Sequence, residues 1–307
     1  MDTAINKPKK NLKQKSVTMI KRNWAGWLLL LPVIFFLYII LWKPIVTGIS
    51  YSFFDLKGFT PSAFVGIKNY INVLTDAVFL KTLTNTFVYV FWSLILGYLP
   101  PVIIAIMINE MVIGKNVFKF SMYTPCIMPM VAVALMWSFM FEAGDGGILN
   151  MLLSKLNIPN SNWIQDPKLS IMLIVLTMTW KNFGGTMLIY LASLQSINNE
   201  LYEAATLDGA GVMKKVRYIT VPHISNMLLL MFVQQIISVF QVMAEPLMMT
   251  DGGPNNASMT LNLQSYFYAF RYMDVGKSLA LGVITFVILI FITMFYFRLK
   301  KKVEDSE

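Results

Sequence analysis

Glu203-Ala204-Ala205-Thr206-Leu207-Asp208-Gly209-Ala210-Gly211, running on to Ile219-Thr220-Val221-Pro222, is the stretch on which the fold turns. Leu201, Ala204, Ala205 and Leu207 give its first part an apolar helical face. Gly209 supplies a stop where left-handed backbone costs little. A second helix is expected over 212–218, ended by Pro222. The small side chains at Ala204, Ala205, Gly209, Ala210 and Gly211 let another surface approach the backbone closely. A short helix of this kind suits the groove of a partner. By composition alone, the same residues equally suit a helical hairpin lying on a membrane.

The surroundings of this stretch are apolar. Of the 307 residues, 56% are hydrophobic and only 13% charged, and the mean hydropathy is +0.61. A soluble domain carries roughly a quarter charged residues, so the deficit indicates a membrane protein. The formal charge of +9 does not indicate nucleic acid, because the cations cluster beside apolar runs. A single cysteine, Cys126, excludes an internal disulfide framework and a cysteine-rich metal site. Its apolar surroundings mark it as a packing residue.

A membrane-spanning helix needs about 20 mostly apolar residues. Six windows qualify: 24–49, 84–108, 118–141, 169–194, 224–245 and 278–299. The first follows a basic stretch (Lys7, Lys9, Lys10, Lys13, Lys15, Lys21, Arg22), but its apolar run outlasts a signal peptide and lacks a small-residue cleavage site. It reads as an uncleaved span. Trp24, Trp27 and Trp42 flank it as interfacial anchors. Pro100-Pro101 and the pair Pro125 and Pro129 are expected to kink the second and third spans.

Six spans leave both termini on one side, and the lysines choose the side. The N-terminal tail, the 110–117 turn with Lys119, the 199–223 connection and the C-terminal tail hold 16 of the 25 Lys and Arg residues. Both termini are therefore predicted to be cytoplasmic. The segments 50–83, 142–168 and 246–277 then face outward. Each carries turn chemistry: Lys57-Gly58 with Thr60-Pro61, Gly144-Asp145-Gly146-Gly147, and Asp251-Gly252-Gly253-Pro254. Short amphipathic helices are expected within them. The organisation predicted is a basic tail 1–23, a first span 24–49, an outer loop 50–83, a core 84–299 containing the 199–223 loop, and a tail 300–307.

The spacing within the opening stretch is specific. Glu203-Ala204-Ala205, three residues, Gly209, nine residues, Ile219, one residue, Val221 and Pro222 resemble the EAA motif of the permease subunits of binding-protein-dependent ABC importers, with valine where leucine is usual. Leu194-Gln195-Ser196-Ile197, Leu201-Tyr202 and Asp208-Gly209-Ala210 resemble the carbohydrate branch of that family. So do Thr250-Asp251-Gly252-Gly253-Pro254, Tyr268-Ala269-Phe270 and Gly276-Lys277-Ser278-Leu279-Ala280. The chain is most similar to first permease subunits of the maltose, lactose and glycerol-phosphate kind.

That resemblance implies an all-α membrane protein with the type I ABC importer permease fold and a MetI-like core, multi-pass in a bacterial cytoplasmic membrane. It implies a second permease subunit (a heterodimer), two cytoplasmic ATPase subunits, an extracytoplasmic solute-binding protein, a sugar or oligosaccharide cargo, and the lipid bilayer as partners, with no nucleic acid. Glu203, Ala204, Ala205, Asp208, Gly209 and Gly211 would couple to the ATPase. Glu203 would pair with a basic residue there, and Gly209 would permit the bend. ATP and Mg would be used by the ATPase subunits. The chain itself has no GxxxxGK[ST] loop and is expected to bind no cofactor. A phosphorylated sugar or polyol such as glycerol phosphate, or another small solute, is the alternative cargo.

A translocation pathway would show polar side chains inside the spans. Gln234, Ser238, Gln241 and Glu245 recur at i, i+4, i+7 and i+11, one helical stripe, with Gln235 beside it. Hydrogen bonding to sugar hydroxyls and polar packing between helices both fit. Trp180, Lys181, Asn182 and Phe183 interrupt the fourth span, and aromatic stacking plus amide bonds suit a sugar. Lys181 needs water or an acceptor, with Glu245 the nearest acid in depth, and could instead signal an acidic or phosphorylated cargo. His223 lacks partners for catalysis or metal binding. With no HExxH and no GxSxG, an enzyme is not expected.

Overall fold

The structure, a computed structural model, describes residues 24–304. The basic tail 1–23 and residues 305–307 lie outside the described residues. Two units divide at Tyr51 and Ser52.

The described part of the first unit is one long helix, apolar enough to cross a membrane over Gly26–Tyr51. Its turns widen to a π turn at Tyr38–Trp42, with the Lys43 N–H donating to the Tyr38 carbonyl. Pro44 follows two residues on. The same device recurs in the second unit. The π turn Leu94–Tyr98 precedes Pro100 in the span Phe79–Glu110, and the π turn Val216–Thr220 precedes Pro222 in the span Val212–Phe240. In each case the proline stands two residues after the widened turn. Proline inside a regular helix loses a hydrogen bond and collides with the carbonyl four residues back, at a cost of about 3 kcal/mol. Widening the turn gives the ring room. Pro222 therefore does not end a helix, contrary to the sequence expectation. It lies inside a fifth span that begins at Val212.

The third span departs most from its expected form. Instead of one kinked helix there are two, Lys115–Ile127 and Met130–Met140, bent by 97° at the break. Met128 and Pro129 are both extended, with ψ of 138° and 139°. A proline pushes its predecessor out of the helical region, so Pro129 breaks the helix where Pro125, inside the first piece, does not. Among the described residues five helices are long and apolar enough to span a membrane, or six with this broken pair counted as one.

The fourth span, Ser170–Leu194, is the centre of the second unit. It packs against Lys115–Ile127, Leu99–Glu110, Phe79–Ser93 and Val221–Phe240. Ile174, Met187 and Tyr190 on it are fully buried. Burying apolar surface against lipid tails gains little, so close backbone approach and polar contacts carry such packing. Gly184 shows this: a Cβ there would stand 2.2 Å from the Met122 carbonyl oxygen and 2.5 Å from Tyr123 Cα. Many large apolar side chains elsewhere face outward, among them Phe120, Phe139, Phe291 and Phe295, as a lipid-solvated surface requires.

The outer segments hold short helices (Lys68–Leu74, Ile148–Lys155, Ala244–Met249, Leu261–Tyr266) as expected. They also hold a two-stranded antiparallel hairpin, Phe54–Lys57 with Thr60–Phe64, turning at Gly58 (φ +62°). The residues just after Asp251 are bonded to one face of the second span. Lys81, Asn85 and Tyr89, at i, i+4 and i+8, donate to the carbonyls of Asn255, Asn256 (2.8 Å) and Ser258 (3.0 Å) respectively. Thr86 accepts from the Leu261 N–H at 3.2 Å.

Candidate functional site

Two features of the second unit hold the residues singled out in the sequence, and the fifth span connects them. The first is the helix Asn199–Leu207. Asn198 caps its start, the side chain accepting from the Glu200 N–H at 3.1 Å. Its end closes in a Schellman turn: the Ala210 N–H donates to Ala205 O (2.8 Å) and the Gly209 N–H to Thr206 O (3.0 Å). Gly209 has φ +76°, which only glycine adopts freely. Gly211 has φ −71° and begins the fifth span's helix.

Glu203, Ala204, Asp208, Gly209 and Gly211 are exposed and Ala205 is half-buried. Glu203 also lines a cleft of about 490 Å³ with Glu110, Lys115 and Tyr202. Leu207 (89% exposed), Val212 and Met213 project as large apolar side chains around the turn. An exposed apolar cluster bounded by charge marks a surface that meets another protein or a membrane. The inward side of the helix is anchored. Tyr202 packs against the buried cluster that includes Ile197, its hydroxyl shares a 2.9 Å hydrogen bond with Thr220 Oγ1, and Lys215 Nζ donates to Thr206 Oγ1 at 2.7 Å.

The second feature is a cavity of about 660 Å³ among the second, fourth and fifth spans. Seven of the nine predicted pathway residues line it: Asn182, Phe183, Gln234, Gln235, Ser238, Gln241 and Glu245. The stripe on the fifth span is not one helix, however. The helix ends at Phe240, Gln241 caps it, and Glu245 sits in the separate helix Ala244–Met249. The break re-aims Glu245, yet all four stripe residues still meet at the cavity.

Trp180 and Lys181 are not among the lining residues. Trp180 packs edge-on to Trp137 at 5.8 Å, and Lys181 Nζ reaches the Cys126 carbonyl at 3.5 Å. Trp180 points toward the second piece of the broken third span and Lys181 toward the first. Lys181 forms no ion pair with Glu245. The described residues show two ion pairs, Arg271–Asp251 and Lys277–Asp76.

Several lining residues went unpredicted. Thr179 and Thr186 extend Asn182 into a polar stripe at i, i+3 and i+7, and Ser93 and Gly97 make an i, i+4 pair on the second span. That periodicity was available in the sequence. Asn262 was not: it belongs to the outer segment and reaches the cavity by donating to Gln241 O at 2.7 Å. Gly97 lets the far wall close, since a Cβ there would be 2.9 Å from Gln235 Nε2 and 3.2 Å from Thr179 Oγ1.

Residues 97–305 match the model of the binding-protein-dependent transport system inner membrane component family. A probable ABC transporter permease protein of Bacillus subtilis (YurN) is 29% identical over 90% of this chain and 95% of its own length. The arabinooligosaccharides transport system permease protein AraP of the same organism is 29% identical over 87% of this chain and 84% of its own. The trehalose/maltose transport system permease protein MalF of Thermococcus litoralis is 28% identical over 89% and 92%. In a crystal structure of a bacterial ABC transporter involved in import of the acidic polysaccharide alginate, one chain superposes with a TM-score of 0.83. It covers 94% of this chain and 99% of that one at 24% identity, a likeness of fold. The family match spans well over half of the chain and takes in the Glu203 helix, the Gly209 turn and most of the cavity, and this chain belongs to the family of binding-protein-dependent transport system inner membrane components.

Proposed function

We propose that the chain is one of two permease subunits of an ATP-driven importer, passing a sugar or oligosaccharide from an extracytoplasmic binding protein through the cavity. The single observation behind this is mechanical. The exposed Asn199–Leu207 helix is tied by Tyr202 to Thr220, at the base of the same span that carries Gln234, Gln235 and Ser238 into the cavity. A push on the helix therefore moves the cavity wall as part of one rigid body. Two ATPase subunits supply that push by hydrolysing ATP with Mg, and this chain receives it through Glu203, Ala204, Ala205, Asp208, Gly209 and Gly211.

The cavity chemistry suits the cargo. Amides and hydroxyls (Asn182, Gln234, Gln235, Ser238, Gln241) match sugar hydroxyls as both donors and acceptors, and Phe183 offers the one aromatic face. Sugar-transport relatives such as AraP and MalF support the same cargo class. A second permease subunit, paired as a heterodimer, would complete the cavity.

The test is a Glu203→Ala and Gly209→Val pair in the assembled importer reconstituted with its ATPase. Valine at φ +76° is strained by about 1–2 kcal/mol. Both variants should insert and assemble, yet lose cargo uptake per ATP hydrolysed. Uptake per ATP equal to wild type in both would refute the docking role.

A further inference from the structure

The cavity has a one-sided charge. Among its lining residues Glu245 is the only ionisable one, and no lysine, arginine or histidine is present. The remaining polar groups are neutral amides and hydroxyls from Ser93, Thr179, Asn182, Gln234, Ser238 and their neighbours. The fourth span carries one cation, Lys181. It lies outside the lining, its ammonium turned to the Cys126 carbonyl, and no ion pair with Glu245 forms among the described residues.

A lone carboxylate in a narrow space with low-dielectric walls sets the sign of the local potential. Opposite charges are drawn in. Like charges are rejected, because their desolvation is uncompensated. The fold does not dictate that sign, since a structure sharing it belongs to an importer of an acidic polysaccharide. The side chains lining this cavity do.

We infer that Glu245 makes this chain's half of the pathway an anion-rejecting filter, so that the cargo is a neutral or amino sugar and not a uronate, sulfonated or phosphorylated one. This deepens the proposed function and rests on the cavity being the cargo path. Lys181 opposes Glu245 from behind the wall and tunes the filter's strength.

Cys126 is the sole cysteine of this chain, and the test uses partner subunits freed of their own cysteines. In the assembled importer, Cys126→Ser retains an acceptor for the Gly185 N–H now bonded to Sγ at 3.3 Å, and Ser238→Cys places a reporter thiol in the cavity. The reporter is treated with cationic trimethylammonium and anionic sulfonate methanethiosulfonates, each rate normalised to a free thiol. The cationic reagent should react roughly tenfold faster. Glu245→Gln should bring the ratio near one, Glu245→Asp should retain it, and Lys181→Gln should raise it. Equal rates that ignore Glu245→Gln would overturn the filter and leave the cargo path intact. A thiol that reacts with neither reagent would overturn the path and the filter with it.

Discussion

The Tyr202 hydroxyl and Thr220 Oγ1 lie 2.9 Å apart, and this hydrogen bond joins the Asn199–Leu207 helix to the base of the fifth span. Thr220 is 3% exposed and closes the π turn that accommodates Pro222. Its oxygen also reaches back to Lys215 O at 3.4 Å. A shielded bond between two hydroxyls contributes about 1 kcal/mol. Tyr202→Phe keeps the ring packed against its buried cluster and removes only this link. Cargo moved per ATP hydrolysed should fall about fivefold with assembly unchanged. Thr220→Val should do the same, and the double variant should be no worse than either alone. Additive losses would show that the two residues act separately.

Gly184 governs the crossing of the fourth span with Lys115–Ile127. A methyl there would collide with the Met122 carbonyl at 2.2 Å, which is backbone and cannot swing aside. Gly185, its neighbour, would meet only Cys126 Sγ at 3.8 Å, an ordinary contact. Gly184→Ala should therefore destabilise by about 1–3 kcal/mol, the usual cost of overpacking, while Gly185→Ala stays near neutral. Thermal unfolding in detergent, monitored by aggregation, separates them. Equal midpoints for both variants would count against the close approach.

Much of this was legible beforehand. Apolar runs located the spans because lipid imposes one requirement on every span residue. The Gly209 turn was readable because left-handed backbone restricts the residue type. The break at Pro129 was not, since Pro125 shows that a proline four residues earlier can stay helical, and the outcome depends on what packs outside. The direction of Lys181 was equally hidden. Periodicity placed it within one residue of the cavity, and only the position of the third span's broken end decides that its ammonium meets Cys126. Glu245 reached the cavity by a route the stripe did not foresee, through a helix break after Phe240.

Asp76 ties the outer end of the sixth span to the segment before the second. Its carboxylate accepts from Lys277 Nζ at 2.5 Å, from the Tyr268 hydroxyl at 2.7 Å and from the Val78 N–H at 2.9 Å. Burial alone pushes this carboxyl up, but the bonds from Lys277, Val78 and Tyr268 outweigh it and hold the carboxyl below its ordinary 3.8. A depressed folded pKa means stability that is fully present above the unfolded value and lost as pH falls through the folded one. Thermal stability should thus be insensitive to this group from pH 6 to 8, and should decline only below about pH 4. Asp76→Asn should lower stability by about 1–3 kcal/mol at neutral pH and flatten the acid decline. An acid decline as steep in Asp76→Asn as in wild type would assign it to other carboxylates.

Gly97 offers the means to alter the cavity without unfolding it. The atoms that a Cβ would meet, Gln235 Nε2 at 2.9 Å and Thr179 Oγ1 at 3.2 Å, are side-chain ends on two different spans. Unlike the carbonyl facing Gly184, the Gln235 amide can rotate away. Its rotation would carry it along the wall that it shares with Gln234 and Ser238. Gly97→Ala should therefore leave the melting temperature nearly unchanged and raise the KM for uptake, roughly threefold to tenfold for one misplaced hydrogen bond. Gln235→Ala in the Gly97→Ala background should add little further, because the amide is already displaced. A fall in melting temperature as large as that of Gly184→Ala, with KM unaltered, would make Gly97 a packing residue and remove Gln235 from the cargo's path.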